Sequence, residues 1–175
     1  HVPLQGTTDA VLRSMGRPLD TAAYGELLAK LRARVPGCAL GADVIVGFPG
    51  ETDEQFEEGL AFVKRCAFAY LHVFPFSPRP GTRAAAMTQL SPAVIRERAA
   101  RMRALAERMK EAFLNAQEGS TVWVAIEKIT DGGLAEGMAD RFFSVRFPSA
   151  AGISGHLARV RLERREGDGF RGTAL

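Results

Sequence analysis

Two rhythms of apolar and polar residues divide the chain near residue 115. Before that point, stretches of helical period alternate with short β-branched or aromatic runs. Beyond it the helical period stops, and short alternating runs set apart by glycine take over. Asp9 to Met15 fits a short helix closed by Gly16 and Pro18. Thr21 to Val35 repeats apolar residues at Tyr24, Leu27, Leu28, Leu31 and Val35, and Pro36-Gly37 stops it. Ala42 to Phe48 is a nearly continuous apolar run, the kind of strand buried on both faces of a parallel sheet. Thr52-Asp53-Glu54-Gln55 predicts a capping box that opens a helix burying Phe56, Leu60 and Val63. Tyr70 to Phe74 reads as the next strand. Strand, helix and strand in this order imply a right-handed parallel crossover, so this part is α/β.

Ser91-Pro92 opens a long helix in the favoured arrangement of a capping residue and a first-turn proline. Its apolar stripe is Ile95, Ala99, Met102, Ala106, Met109 and Phe113. Its other faces carry Arg96, Arg98, Arg101, Arg103, Arg108 and Lys110 against Glu97, Glu107 and Glu111. That pattern fits a solvated face with partial ion pairing, or a basic edge that supports RNA. In the second part, strands are expected over Thr121 to Ile126, Phe142 to Phe147 and His156 to Leu162. Asp131-Gly132-Gly133 is a turn, and Asp168-Gly169 turns the chain into a last short strand. Roughly five short strands in so short a stretch predict a small closed β-barrel of OB type. The expected domains are 1–115 and 116–175.

Composition changes this picture little. The chain has 175 residues, 46% hydrophobic and 25% charged, an ordinary globular mix. No apolar run approaches the roughly 18–20 residues that span a bilayer, so no membrane partner is expected. Net charge is +3 with an isoelectric point near 9.2, which permits an RNA partner without requiring one. Cys38 and Cys66 share no metal-ligand spacing and read as reduced, small apolar side chains of a cytoplasmic protein. The N-terminus, HVPLQGTTD, has neither an initiator methionine nor a signal-peptide pattern, so the chain is expected to begin inside a longer polypeptide.

Candidate chemistry lies where strands end, since α/β folds bind ligands at the carboxyl ends of their strands. His1-Val2-Pro3-Leu4-Gln5 places a polar glutamine at such an end. Asp43 to Thr52 (DVIVGFPGET) contains Gly47, which lets a flat group approach the backbone, and a sharp turn at Pro49-Gly50. Glu51 stands beside a helix start, where the dipole favours its charge. Leu71 to Thr82 (LHVFPFSPRPGT) is a stiff loop with Ser77 and Arg79 among prolines. His72, between apolar neighbours, reads as a packed core histidine.

HVPLQ, the VLRSMGRP stretch at Val11 to Pro18, DVIVGFPGET and FPFSPRPGT, in this order, resemble the radical-SAM methylthiotransferases. The all-β tail is similar to the TRAM domain that ends those proteins, with Trp123 to Glu127, Gly137 and Arg146-Phe147 in matching places. The fold implied is the C-terminal half of a radical-SAM partial (β/α) barrel followed by a small TRAM (OB-like) barrel. LHVFPFSPRPGT most resembles the branch that methylthiolates N6-threonylcarbamoyladenosine at position 37 of tRNA. The alternatives within the family are the isopentenyladenosine branch, which usually has a shorter YSxRPGT, and the ribosomal-protein branch, which usually has an acidic residue near the place of Arg79. An RNA-binding module without catalysis is the alternative from another class.

The resemblance implies S-adenosylmethionine and two 4Fe–4S clusters as cofactors of the full-length parent. Gln5 would sit by the ribose; Ile45, Val46 and Gly47 would flank the adenine, with Phe74 and Pro75 on the next strand. Ser77 and Arg79 would lie nearer the substrate. The tRNA anticodon arm is the implied partner, with Arg141, Arg146, Arg159, Arg161, Arg164 and Arg165 as candidate phosphate contacts and Phe142 or Phe143 as candidate stacking rings. This loop has Gln5-Gly6-Thr7-Thr8 where the family has QSGS or similar. The cluster-binding CxxxCxxC motif is absent from these residues, and neither cysteine replaces it. No metal ligand and no catalytic residue is therefore expected in this chain. It is expected to be inert alone, partnered by the missing N-terminal part of the same polypeptide.

Overall fold

A computed structural model describes residues 1–130, 132–148 and 155–175. It divides into two compact units, His1–Lys110 and Glu111–Leu175.

The first unit contains helices α1 (Asp9–Ser14), α2 (Thr21–Arg34), α3 (Asp53–Cys66) and the short α4 (Arg83–Ala86), and most of the long α5 (Pro92–Asn115). Strands β1 (Gly41–Val46) and β2 (Tyr70–Pro75) pair in parallel, with Gly41 opposite Tyr70 and Val46 opposite Pro75. The opening segment runs parallel to β1 on its other side. The Val2 N–H donates to Gly41 O, the Gln5 N–H to Asp43 O and the Ile45 N–H to Gln5 O, each at 2.8 Å. Each helix start has its side-chain acceptor: Thr8, Asp20, the full capping box of Thr52 and Gln55, Thr82 and Ser91. Such caps satisfy amide groups that a helix cannot pair internally.

Val44 and Val46 of β1 bury with Tyr24, Leu28, Phe56, Val63, Phe68 and Met102 in one core. The alternate residues, Asp43 and Ile45, are half-buried, and on β2 His72 and Phe74 are exposed. Two expectations are thereby corrected: β1 is not buried on both faces, and His72 is not a core histidine. Strand pleat sends successive side chains to opposite faces, so His72 must leave the face on which Leu71 and Val73 pack against the core.

The second unit is a closed barrel in the order β3-β4-β5-β7-β6, compatible with a TRAM-like small β domain. Its strands are β3 (Thr121–Ile129), β4 (Leu134–Ala139), β5 (Ser144–Pro148), β6 (Leu157–Glu166) and β7 (Gly169–Ala174). Val122, Val124, Ile126, Val145, Phe147, Val160, Leu162 and Phe170 fill its interior. A Cβ on Gly137 would run into the Ala125 carbonyl, and one on Gly172 into the Arg161 carbonyl. The small barrel closes because these two strands carry no side chain there.

The sequence pattern missed β4, whose LAEGMA has too few β-branched residues to stand out. It also began β5 too early. Phe142 has a φ of 62° and lies in the turn before the strand, while Phe143 is buried. Of the expected turn, Asp131 lies outside the described residues; at Gly133 (φ 74°) the N–H closes on Thr130 O at 2.9 Å. Among the described residues no helix is long and apolar enough to cross a membrane.

Candidate functional site

The strand-end turn of β1 is held by a buried carboxylate. Gly47 has a φ of 76°, and its N–H donates to Glu51 Oε2 at 2.8 Å. Arg98, from α5, donates through Nη1 to the same oxygen at 2.7 Å and to the Glu51 carbonyl at 2.9 Å. Its Nη2 reaches Asp53 Oδ1 at 2.6 Å. Glu51 and Arg98 are each only 3% exposed. Burial pushes the Glu51 carboxyl above the usual carboxylate range, against the opposing pull of the Gly47 N–H and Arg98. This corrects the reading of Arg98 as part of a solvated helix face: it reaches back into the first unit and packs 5.3 Å from the centre of the Phe56 ring. Arg101 is likewise engaged, 2.6 Å from Glu57.

Gln5 has a φ of 72°, and the Gly6 N–H donates to Leu4 O at 3.0 Å. The two together make a γ-turn with a positive central φ, a rare and strained conformation for a residue with a side chain. Thr7 is buried against Gly59, at a place that a Cβ on residue 59 would take from it, and Thr8 caps α1. The two threonines of the divergent loop are therefore structural.

Four stretches of sequence meet at one cavity of about 440 Å³ in the first unit. Gln5 comes from the opening segment, Met15 and Arg17 from the end of α1, Ile45 and Phe48 from β1 and its turn, and Thr82 and Arg83 from the loop after β2. That loop is tied to the β1 turn: the Phe76 N–H donates to Val46 O at 2.9 Å, and the Phe76 and Phe48 rings meet edge to face at 5.2 Å. Arg83 Nη2 donates to Ser14 O at 2.8 Å, which fixes one side of the cavity. Two arginines, an amide and apolar walls suit an anionic or zwitterionic ligand with a flat apolar part.

Of the residues expected to bind ligand, Gln5 and Ile45 line this cavity. The Val46 side chain faces the core, and Gly47 contributes the turn itself. Phe74 stands opposite Ile45 on the open face of the sheet, 51% exposed, and Pro75 is exposed beside it. Ser77 and Arg79 are exposed and do not line the cavity. The cysteines do not fit an iron–sulfur cluster: Cys66 is in the core, with burial pushing its thiol up to about 11, and Cys38 packs partly against the same core.

On the barrel, Trp123 is 51% exposed and directly opposite Arg159. Ala125 stands opposite both Leu157 and Met138, so an apolar band continues beside the tryptophan. Arg161 pairs across to Thr121 and Thr173. Arg159 and Arg161 are exposed and have no carboxylate partner among the described residues. Other candidate cations are engaged. Arg141 binds Gln117 and Ser120, Arg146 binds Glu136 at 3.0 Å, Arg164 binds Glu166 at 2.7 Å, and Arg165 binds Glu111 at 2.6 Å. Phe142 is 76% exposed, whereas Phe143 packs on Phe170 inside and is not available to stack.

The geometry sits in a chain with clear relatives. It is 34% identical over 167 residues to the threonylcarbamoyladenosine tRNA methylthiotransferase MtaB of Bacillus subtilis, which covers 93% of this chain. It is 43% identical over 126 residues to a tRNA-2-methylthio-N(6)-dimethylallyladenosine synthase of Bifidobacterium adolescentis, and 46% over 127 to the ribosomal protein uS12 methylthiotransferase RimO of an Anaeromyxobacter species. Each of those two matches covers 72% of the chain. The chain belongs to the methylthiotransferase family. It spans 37%, 26% and 27% of these three relatives' own lengths. No family model matches it.

In this methylthiotransferase chain the sequence reading missed Arg98 as the partner of Glu51, Arg17 and Arg83 at the cavity, and Trp123 beside Arg159. A capping box followed by a long helix does not reveal which arginine folds back. The Trp123 exposure was legible: it alternates with Val122 and Val124, which fill the barrel.

Proposed function

We propose that this chain is the C-terminal part of a radical-SAM methylthiotransferase that modifies threonylcarbamoyladenosine in the anticodon arm of tRNA in the cytoplasm. The first unit would be the C-terminal half of the partial (β/α) barrel, and the second the TRAM barrel that holds the RNA. The observation that carries this reading is convergence. The sequence stretches that resemble the family's motifs, scattered from Gln5 to Thr82, all contribute to one cavity at the strand ends. Residues dispersed in sequence and gathered at one cavity are what a ligand site requires.

In this reading the cavity receives S-adenosylmethionine. Gln5 would hold the ribose, Ile45 the adenine, and Arg17 and Arg83 the carboxylate. The Glu51–Arg98 pair acts at one remove by fixing the Gly47 turn. Bound there, S-adenosylmethionine would supply the transferred methyl group. The chain's own residues bind, orient and exclude water. LHVFPFSPRPGT supports the threonylcarbamoyladenosine branch within this reading. Arg79, exposed on that loop, suits an RNA phosphate.

The test is S-adenosylmethionine binding by a full-length polypeptide that contains these residues. Gln5→Ala and Gly47→Val should each weaken binding by roughly tenfold or more, the loss of one or more hydrogen bonds or of the turn. Unchanged affinity in both variants contradicts the cofactor assignment.

A further inference from the structure

The open face of the small parallel sheet carries a polar cluster one pleat below Ile45 and Phe74. Asp43 and His72 are register partners on β1 and β2, and His1 comes alongside from the opening segment. One ligand atom from each of His1, Asp43 and His72 lies within 4.8 Å of the others. His1 Nε2 is already 3.1 Å from Asp43 Oδ2. The Tyr70 ring lies over Gly41, where any Cβ would collide with it, and its hydroxyl is 3.3 Å from His1 Nδ1. Strand pleat brings the three side chains to the same face although they are far apart in sequence.

We propose that His1, Asp43 and His72 form a binding site for a first-row divalent transition ion such as Zn²⁺. Two imidazoles and one carboxylate make a donor set of borderline hardness, which suits Zn²⁺, Co²⁺ or Fe²⁺ rather than Mg²⁺ or Ca²⁺. With metal–ligand distances of about 2.0–2.2 Å, ligand atoms sharing an ion stand roughly 3–3.6 Å apart, a spacing His1 and Asp43 already have and to which His72 must draw in. His1 and His72 are exposed rings, so side-chain rotation accomplishes this without moving a strand. Tyr70, hydrogen-bonded to the second nitrogen of His1, orients that ring as an outer-shell partner does in metal sites. Three protein ligands leave coordination positions for water or a substrate oxygen. The site is separate from the cavity lined by Gln5 and Ile45, and it stands whether or not that cavity binds S-adenosylmethionine.

Titration of the metal-free chain with Zn²⁺ by calorimetry, and with Co²⁺ by visible absorption, tests the site. The expected result is one ion per chain, with ligand-field bands from Co²⁺ that Zn²⁺ displaces. His72→Ala and Asp43→Asn should each weaken Zn²⁺ binding by about 100-fold, since removing a direct ligand costs at least what removing an outer-shell partner does. His156→Ala should leave it unchanged. Both ligand variants alter side chains outside the core, and unchanged circular dichroism confirms that they fold. No saturable one-to-one binding overturns the proposal. So does binding that survives both His72→Ala and Asp43→Asn.

Discussion

Arg98 and Glu51 meet at 2.7 Å, both almost wholly buried, although 47 positions separate them. Their contact ties α5 to the turn after β1, because the Glu51 oxygen that accepts from Arg98 also accepts from Gly47. Removing one member of a buried pair strands a charge. Arg98→Met is expected to cost about 3–5 kcal/mol in urea denaturation. Glu51→Gln in the same chain should recover much of that, since an amide oxygen still accepts from Gly47 without needing a cation.

The pH dependence follows from the raised Glu51 carboxyl. A carboxyl whose folded value lies above its unfolded one favours the fold most when protonated, and that contribution is lost as pH rises through the folded value. Without Arg98 the carboxyl rises further. The deficit of Arg98→Met should therefore be larger at pH 8 than at pH 5, and the Glu51→Gln background should abolish the difference. Melting temperatures of the variants across that range provide the check.

Gly47 faces two separate obstacles to a side chain. Its φ is 76°, and a Cβ there would lie 2.8 Å from Ile95 Cγ1. Gly47→Ala should destabilise by about 1–3 kcal/mol. Ile95→Ala added to it removes the collision but not the backbone strain. A double variant as stable as the Ile95→Ala single variant would show that the left-handed turn carries no cost.

Under the proposed function, RNA would meet the barrel at the exposed Trp123 beside Arg159. Trp123→Ala should weaken single-stranded RNA binding by about 1–3 kcal/mol, the worth of one stacked base. Arg159→Ala should lower the dependence of log affinity on log salt by about one. Phe143→Ala, in the barrel interior, should act through stability instead. Fluorescence anisotropy at several salt concentrations separates the three.

Thiol reactivity reports the core. Burial pushes the Cys66 thiol up to about 11, so at pH 8 it is almost all protonated as well as covered. Iodoacetamide should label half-exposed Cys38 first and Cys66 only after unfolding. Equal rates in the folded chain would mean that the α3 end opens readily.

The sequence revealed most of the local architecture and little of what crosses between elements. Thr52-Gln55 and Ser91-Pro92 were readable as helix starts because capping is a local matter of one side chain and a nearby amide. The Val122, Val124 and Ile126 alternation marked β3 for the same reason. What escaped was long-range. Apolar neighbours on both sides of His72 suggested burial, yet which face of β2 is covered depends on the helices packed against it. The meeting of Asp43 and His72 depends on strand register, and the Arg98 fold-back on how α5 packs on the β1 turn; no single stretch encodes either. Gln5 and Ile45 were identified from motif resemblance, whereas Arg17 and Arg83 joined them only once the loops were placed.

The most direct measurement of the central claim is nucleoside mass spectrometry of tRNA from a strain lacking the gene that encodes this chain. The account predicts that the 2-methylthio derivative of threonylcarbamoyladenosine disappears, that its unthiolated precursor accumulates, and that methylthiolated isopentenyladenosine is unchanged. Undiminished methylthiolation of threonylcarbamoyladenosine would contradict it.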